Sequence, residues 1–320
     1  MISAKKKLSV ACQMDPIDAI DIGTDSTFAL LMEAQRRGHS LFCYHPNDLA
    51  LIDGQLRAKG TSVHVREIHG DHVTHQSPRT VNLEEVDVVL LRQDPPFDMA
   101  YITSTHLLER LHPKTLVANN PREVRNAPEK LWVLDFPDLM PPTIVTRQLT
   151  DVVAFRGQYK DIIVKPLFGN GGAGVFRIRH VDSNLAALVE LFQSAFREPF
   201  MVQQYRPEVR DGDKRIILVD GKIAGAINRV PADGETRSNL HVGGKAAPVR
   251  LTERDQEICR RLGPELERRG LIFTGIDVIG DFLTEINVTS PTGIRQVKAF
   301  GGEDIAAQIW TAIEARVSAT

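Results

Sequence analysis

The chain reads as an α/β protein: a doubly wound, largely parallel sheet leads, and a strand-rich half follows. Three observations predict this. Apolar runs such as VDVVLLR (86–92) alternate with amphipathic stretches such as STFALLMEAQRR (26–37), as strands buried on both faces do with the helices that cover them. Beyond about residue 200 the strands follow one another closely, with a hairpin signal at VDGKI. Third, the stretch GIDVIGDFLTEINVTSPTG (275–293) sets Asp277, Glu285 and Asn287 among residues that are otherwise apolar.

Taken in order, residues 8–17 form a first strand that enters a loop at Asp15-Pro16. The helix of 26–37 follows, stopped by Gly38. LFCYHP (41–46) is a second strand, and the alternation over 55–69 predicts a hairpin. The run 86–92 is a buried parallel strand ending at Arg92 in the loop QDPPFD. A helix near 99–111, a strand at 115–121 and a helix over about 122–136 come next. Ligands of such sheets lie beyond the carboxyl ends of the strands, where Asp15 and Arg92 fall, although an arginine there is more often a surface ion pair. The Pro-rich FPDLMPPT leads to strand TIVTR and a helix at 150–158. DIIVKPLFGNGGAGVFRIRH then places a glycine cluster between two apolar runs, before a helix at 183–196. The remaining strands are PFMVQQY, KRIILVDGKIAGAINRV, IFTGIDVIG and FLTEINV, with helices near 252–269 and 302–317. Residues 230–246 have no period and predict a mobile surface loop.

Composition narrows the function classes. At 320 residues the chain can hold two or three domains. A net charge of −2 gives no reason to expect nucleic acid or an anionic membrane as partner. Cys12, Cys43 and Cys259 are far apart and in apolar contexts, which predicts core residues rather than a disulfide, a zinc site or a nucleophile. No run is long enough to span a bilayer, and the N-terminal apolar run breaks at Gln13 and Asp15, so a soluble cytoplasmic protein is the expectation.

The chemistry concentrates in a few places. In a strand, Glu285 and Asn287 point to one face. Asp277 joins them only if the turn near Gly280-Asp281 is a three-residue connection through Phe282 or is followed by a bulge; a plain two-residue turn would separate them. A buried oxygen cluster of that kind is costly unless a cation neutralises it. For any single acid a paired arginine is the commoner answer, but for three on one face the metal reading gains. Few carboxylates with hard oxygens suit Mg²⁺ carried by phosphates. The segment Gly169, Asn170, Gly171, Gly172, Ala173, Gly174 is followed by a strand rather than a helix, so it is not a Rossmann fingerprint, and it lacks the P-loop ending. Glycines there let backbone N–H groups approach phosphate, or simply form a flexible tip. Lys165, in the apolar strand IIVKP, needs a partner: a phosphate, or a carboxylate. VQQY (202–205) has the look of a hinge whose backbone meets an adenine edge. Arg215 and Arg229 sit on the two arms of one hairpin, as surface charges or as stabilisers of a phosphorylated carboxyl group.

A lysine strand, a glycine hairpin, a hinge, paired arginines and an acid–acid–Asn strand pair is the order found in ATP-grasp ligases. The sequence closely resembles the bacterial glutathione synthetase family over nearly its whole length, from MDPI (14–17) to IEARV (313–317). The most specific stretches are RQDPPFD (92–98), DGDKR (211–215), GETR (234–237), GLIF-G-D-IGD (270–281) and LTEINVTSPT (283–292).

The resemblance implies an ATP-grasp fold with an N-terminal α/β domain (1–122), a central lid (123–200) and a C-terminal catalytic part (201–320). It also implies roles. Lys130 and Lys165 would bind ATP phosphates beneath the hairpin Gly169 to Gly174. Gln203, Gln204 and Tyr205 would hold the adenine side, and Asp213 the ribose region. Asp277, Glu285 and Asn287 would hold Mg²⁺, with Mn²⁺ as the alternative. Arg215 and Arg229 would stabilise an acyl phosphate, with Arg237 and Asn239 on the loop that shields it. Ser290, Pro291, Thr292 and Gly293 would line the peptide or glycine pocket, and Arg92 would hold a substrate carboxylate. Three positions depart from the family's usual pattern: Phe168 stands where an acidic residue is common, Gln204 where Asn is, and Lys245 where Arg is. The implied reaction joins γ-glutamylcysteine to glycine at the expense of ATP, in a homo-oligomer, commonly a tetramer. The rivals are another ATP-grasp carboxylate–amine ligase and a nucleotide-binding module without turnover.

Overall fold

The computed structural model describes residues 6–239 and 243–319. Its first sheet contains β1 (Ser9–Gln13), β2 (Ser40–Tyr44), β3 (Leu49–Ile52), β4 (Gln55–Val65), β5 (Val73–His75), β6 (Arg79–Asn82), β7 (Val88–Leu91) and β8 (Leu116–Ala118). The order is β3-β4-β2-β1-β7-β8, with β5 and β6 also paired to β4, and β1, β2, β7 and β8 run parallel. Helices α1 (Ser26–Arg36) and α2 (Met99–Glu109) supply the crossovers. Asp25 caps α1 by accepting from the Phe28 N–H, and Gly38 ends it at a positive φ of 85°. The doubly wound reading therefore holds.

The next segment departs from the expected helix over 122–136. It is α3 (Pro121–Arg125), an irregular stretch and a 3₁₀ turn at Trp132–Asp135. Pro128 explains the break: it has no N–H to donate and disfavours helical backbone in the residue before it. The break frees Glu129 and Lys130 to face inward. The 55–69 hairpin also needs correction. β4 is one long strand, and it forms a hairpin with the preceding β3 instead. The turn is Asp53-Gly54, both at positive φ, as a tight two-residue hairpin turn requires.

A four-stranded antiparallel sheet follows, with β9 (Thr143–Thr146), β10 (Ile162–Pro166), β11 (Phe176–Ile178) and β12 (Phe200–Gln204) in the order β11-β10-β12-β9. Helices α4 (Leu149–Tyr159) and α5 (Leu185–Ala195) pack on it around Phe155, Phe192 and Phe200. The last sheet is β15-β14-β13-β16-β17, made of β13 (Asp213–Val219), β14 (Lys222–Val230), β15 (Lys245–Ala247), β16 (Phe273–Ile279) and β17 (Phe282–Asn287). The expected 230–246 loop thus ends in a short strand paired with β14; residues 240–242 lie outside the described residues. Helix α6 (Glu253–Arg268) opens on a reciprocal cap between Thr252 and Asp255. Asp255 is fully buried and also accepts from the Lys214 ammonium at 2.6 Å, which ties the helix to β13.

A short helix not foreseen, α7 (Ile294–Ala299), precedes α8 (Ile305–Ala319). Trp310 of α8 is wholly buried against α1, its indole N–H donating to the Leu30 carbonyl at 2.7 Å. Asn119, just after β8, donates to the carbonyls of Phe273 (2.7 Å) and Val288 (2.9 Å) and accepts from the Phe273 N–H. The first sheet is thereby stitched to β16 and the end of β17, which fixes Arg92 relative to the acidic strand pair. All three cysteines are buried and unpaired. Burial pushes the Cys259 thiol up to about 12, with Asp255 adding to it, as befits core residues. Among the described residues, no helix is long and apolar enough to cross a membrane.

Candidate active site

The strand pair β16–β17 meets the requirement on its turn through a bulge. Gly280 and Asp281 form a two-residue turn, so Ile279 pairs with Phe282 and Val278 with Leu283. The register then shifts, and Asp277 faces Glu285. Thr284 is the extra residue, its hydroxyl donating to the Asp277 carbonyl at 3.1 Å. Gly275 pairs with Asn287, which keeps the three oxygen-bearing side chains together. The bulge restores the parity that the turn alone would have lost.

Cations surround the pair. Arg215 lies across the strands from Asp277 and donates to both its oxygens, from Nε at 2.5 Å and from an NH₂ group at 3.0 Å. Gly275 leaves room for that guanidinium: a Cβ there would sit 3.0 Å from Arg215 Cδ. Arg229 bridges Asp213 (2.5 Å) and Asp277 (2.9 Å). Burial opposes charge on Asp277, but Arg215 and Arg229 outweigh it and hold the carboxyl well below its usual range. Burial likewise opposes charge on Arg229, and Asp213 with Asp277 more than offset it. Glu285 has Lys165 at 3.3 Å and Lys130 at 3.6 Å, which lower its pKa against the cost of burial. Lys165 is pulled down, chiefly by burial. Its partner is thus a carboxylate, and that carboxylate belongs to the acidic pair.

The donor set fits a hard divalent cation. Among the described residues, no three His, Cys, Asp or Glu side chains converge as a complete cage. What is present is two carboxylates and a carboxamide, with basic side chains neutralising the acids. Such a partial oxygen set suits an ion that brings phosphate and water ligands with it.

The pair floors a cleft lined by residues of both antiparallel sheets. Lys165 and Gln203 come from the four-stranded sheet, Asp213, Asp277 and Glu285 from the five-stranded one. Lys130 donates to the Gly169 carbonyl at 2.6 Å, anchoring the glycine segment over the cleft. The positive φ of 82° at Gly172 favours glycine, and a Cβ there would lie 2.6 Å from Asn239 Oδ1. The same close approach sets Arg237 and Asn239 against the hairpin. Arg237 pairs with Glu235 at 2.7 Å rather than with the acidic pair, and that contact first of all holds Glu235 down to about 2. Asp213 is pushed up to about 6, burial outweighing Arg229, and accepts from the Ser238 hydroxyl at 2.7 Å.

At the hinge, the N–H groups of Gln204 and Tyr205 donate to the carbonyls of Pro142 and Asp161. These two amides are thus already engaged, so an adenine at the expected hinge would have carbonyls and side chains left to meet. Arg177 lies 3.8 Å from the centre of the Tyr205 ring.

Arg92 is buried, not a surface charge. It donates to the Thr27 hydroxyl and the Pro291 carbonyl, each at 3.0 Å, and rests on the Phe273 ring. Ser290 donates to the Arg92 carbonyl at 3.5 Å, and Gly293 (φ 113°) starts α7. The 290–293 turn and Arg92 therefore form one patch. Phe168 stacks on Phe97 of the QDPPFD loop with centroids 6.1 Å apart, joining the glycine segment to that loop. Sequence reasoning missed this contact, and it missed Glu129, which packs beneath Asn287 and Thr289. The break at Pro128 was the available signal for Glu129.

Against known families, two sequence models match. One, described as the prokaryotic glutathione synthetase ATP-grasp domain, covers residues 129–302; the other, the N-terminal domain of the same enzymes, covers 8–125. This chain belongs to the prokaryotic glutathione synthetase family. A family relative named glutathione synthetase from Agrobacterium fabrum is 57% identical over 306 residues, 96% of each chain. The enzyme of that name from Escherichia coli K12 is 44% identical, spanning 95% of this chain and 97% of its own. Among solved structures, the D-cycloserine synthetase DcsG matches with a TM-score of 0.69 over 97% of this chain and 99% of its own. At 17% identity that likeness speaks for the fold, which is ATP-grasp.

Proposed function

We propose that the chain joins γ-L-glutamyl-L-cysteine to glycine, forming glutathione with ADP and phosphate. The observation that carries this reading is the Asp277–Glu285 pair, opposed across a bulge and ringed by Arg215, Arg229, Lys165 and Lys130. ATP lies in the cleft, adenine toward Gln203, Gln204 and Tyr205, ribose toward Asp213, and phosphates toward Lys130, Lys165 and the glycine segment. Asp277, Glu285 and Asn287 would hold Mg²⁺, or Mn²⁺, which when bound would supply the positive charge that neutralises the phosphates for in-line transfer. Arg92 holds a substrate carboxylate beside Ser290, Pro291, Thr292 and Gly293. The reacting carboxylate of γ-glutamylcysteine attacks the γ-phosphorus, and ADP leaves. Glycine's amine then attacks the acyl carbon and phosphate departs. Arg215 and Arg229 stabilise the acyl phosphate by fixed charge, while Arg237 and Asn239 ride the loop that excludes water. The work divides among residues 1–122, 123–200 and 201–320 as three subdomains, in a cytoplasmic homo-oligomer.

A substrate panel with phosphate release tests the assignment. Phosphate should form rapidly only with ATP, γ-glutamylcysteine and glycine together. Faster turnover with another acid–amine pair would make the chain a different carboxylate–amine ligase, and no turnover with any pair would make it a non-catalytic module.

A further inference from the structure

Glu129 belongs to none of the roles assigned above, yet it sits under the acidic strand pair. Its backbone carbonyl accepts from the Ile286 N–H at 3.2 Å, which pins it to β17. Its Oε1 accepts from the Thr289 hydroxyl at 3.0 Å. Burial raises its pKa, Lys130 works against that, and Glu285 adds to it. A carboxylate in such a place is costly unless its neighbours donate to it.

What it meets is the side chain of Asn287. With the amide nitrogen turned toward Glu129, Asn287 donates to Oε2 at 3.2 Å and to Oε1 at 3.3 Å. The opposite orientation would set the amide oxygen against the carboxylate, oxygen to oxygen. The amide's other arm lies 3.4 Å from Asp277 Oδ2. With nitrogen on Glu129, that arm is the oxygen. Two oxygens from neighbouring strands then face the same space, as a cation needs. With nitrogen on Asp277, an NH₂ group would point there instead, and a cation would be repelled.

We propose that Glu129 is a positioning residue: it fixes the direction of the Asn287 carboxamide, so that an oxygen rather than an NH₂ group faces the cation carried by Asp277 and Glu285. The inference rests on reading Asp277, Glu285 and Asn287 as the metal-holding set. Partners that orient a ligand from outside its coordination shell commonly govern affinity by about 10- to 100-fold. Without Glu129, the nearest acceptor for the Asn287 nitrogen is Asp277, and the ligand would turn the wrong way.

The test is a double-mutant cycle read by Mn²⁺ affinity, measured from the free-Mn²⁺ electron paramagnetic resonance signal of the full chain with a non-hydrolysable ATP analogue. Glu129→Ala should weaken Mn²⁺ binding by about 10-fold or more. Asn287→Asp removes the need for orientation, because a carboxylate shows oxygen on either side. In that background Glu129→Ala should leave Mn²⁺ affinity unchanged or tighter, since a repelling carboxylate has gone. If Glu129→Ala does not fold, Glu129→Gln serves with the same signature: a smaller loss when Asn287 is intact, and none in the Asn287→Asp background. A loss of equal size in both backgrounds would mean that Glu129 merely supports the fold, and no loss in either would also overturn the proposal. Glu285→Ala separates the premise: if it too leaves Mn²⁺ affinity intact, the metal-holding set itself is wrong.

Discussion

Replacing Glu285 with alanine is expected to lower turnover on the order of 10³-fold or more, the scale of losing a principal stabiliser of developing charge in a closed site. Two effects combine. On the proposed reading the cation loses one of its two carboxylates, and Lys165 and Lys130 lose the acid that lies 3.3 and 3.6 Å from them. With that nearest counter-charge gone, the two ammonium groups repel one another with less compensation, and burial drives Lys165 further toward its neutral form. A phosphate-binding lysine that is neutral or displaced serves poorly. Glu285→Gln should retain the packing and still lose most activity, because an amide neutralises neither lysine. The check is steady-state ADP formation beside thermal unfolding. A variant that folds normally and turns over at the wild-type rate would remove Glu285 from the metal-holding set.

Arg229→Met should damage both stability and catalysis. The guanidinium bridges Asp213 and Asp277 inside the protein. Removing it leaves two buried carboxylates with too little compensation, a change that costs about 3–5 kcal/mol. Urea unfolding at neutral pH should show that loss, and pH should modulate it in a definite direction. In the variant the Asp213 carboxyl rises further above its unfolded value, while Asp277, which keeps Arg215, loses part of the depression that Arg229 gives it. A group raised like Asp213 favours the fold while protonated and loses that contribution as pH rises through the raised value. The deficit is therefore full at neutral pH and shrinks on acidification toward the ordinary carboxylate range. Asp213, already at about 6 in the intact protein, titrates first. Turnover should fall by about 10²- to 10³-fold through lost charge at the acyl phosphate. A methionine variant with unchanged stability would show that Asp213 and Asp277 do not depend on Arg229.

Much of the fold was legible because its strands carry strong periodic signals. The run 86–92 announced a buried parallel strand, and β7 lies inside that run. The sequence also posed the question of Asp277 and Glu285 in a checkable form, since only a bulge or a longer turn could place them together. It could not choose between those devices. The bulge at Thr284 depends on how β17 packs, and no residue type announces it. The helix expected over 122–136 breaks before Trp132, because Pro128 lacks an N–H and restricts the residue before it. Glu129 sits in that break, and its role depends on contacts with Asn287 and Thr289, some 160 residues away, which local sequence does not show. Arg92 illustrates the same limit. A strand-end arginine is ambiguous by itself, and its burial arises from contacts nearly 200 residues away, at Pro291. The contact between Phe168 and Phe97 likewise joins distant segments. The sequence shows only that Phe168 departs from the family pattern, without saying what it touches.

The proposed chemistry turns on an acyl phosphate formed in the cleft between the two antiparallel sheets, and isotope transfer reads it out. γ-Glutamylcysteine labelled with ¹⁸O in its cysteinyl carboxylate is turned over with ATP and glycine, and the inorganic phosphate is analysed by mass spectrometry. Attack of that carboxylate on the γ-phosphorus predicts one labelled oxygen in each phosphate released, with ADP and glutathione formed in equal amounts. Phosphate free of label, with glutathione still produced, would rule that intermediate out.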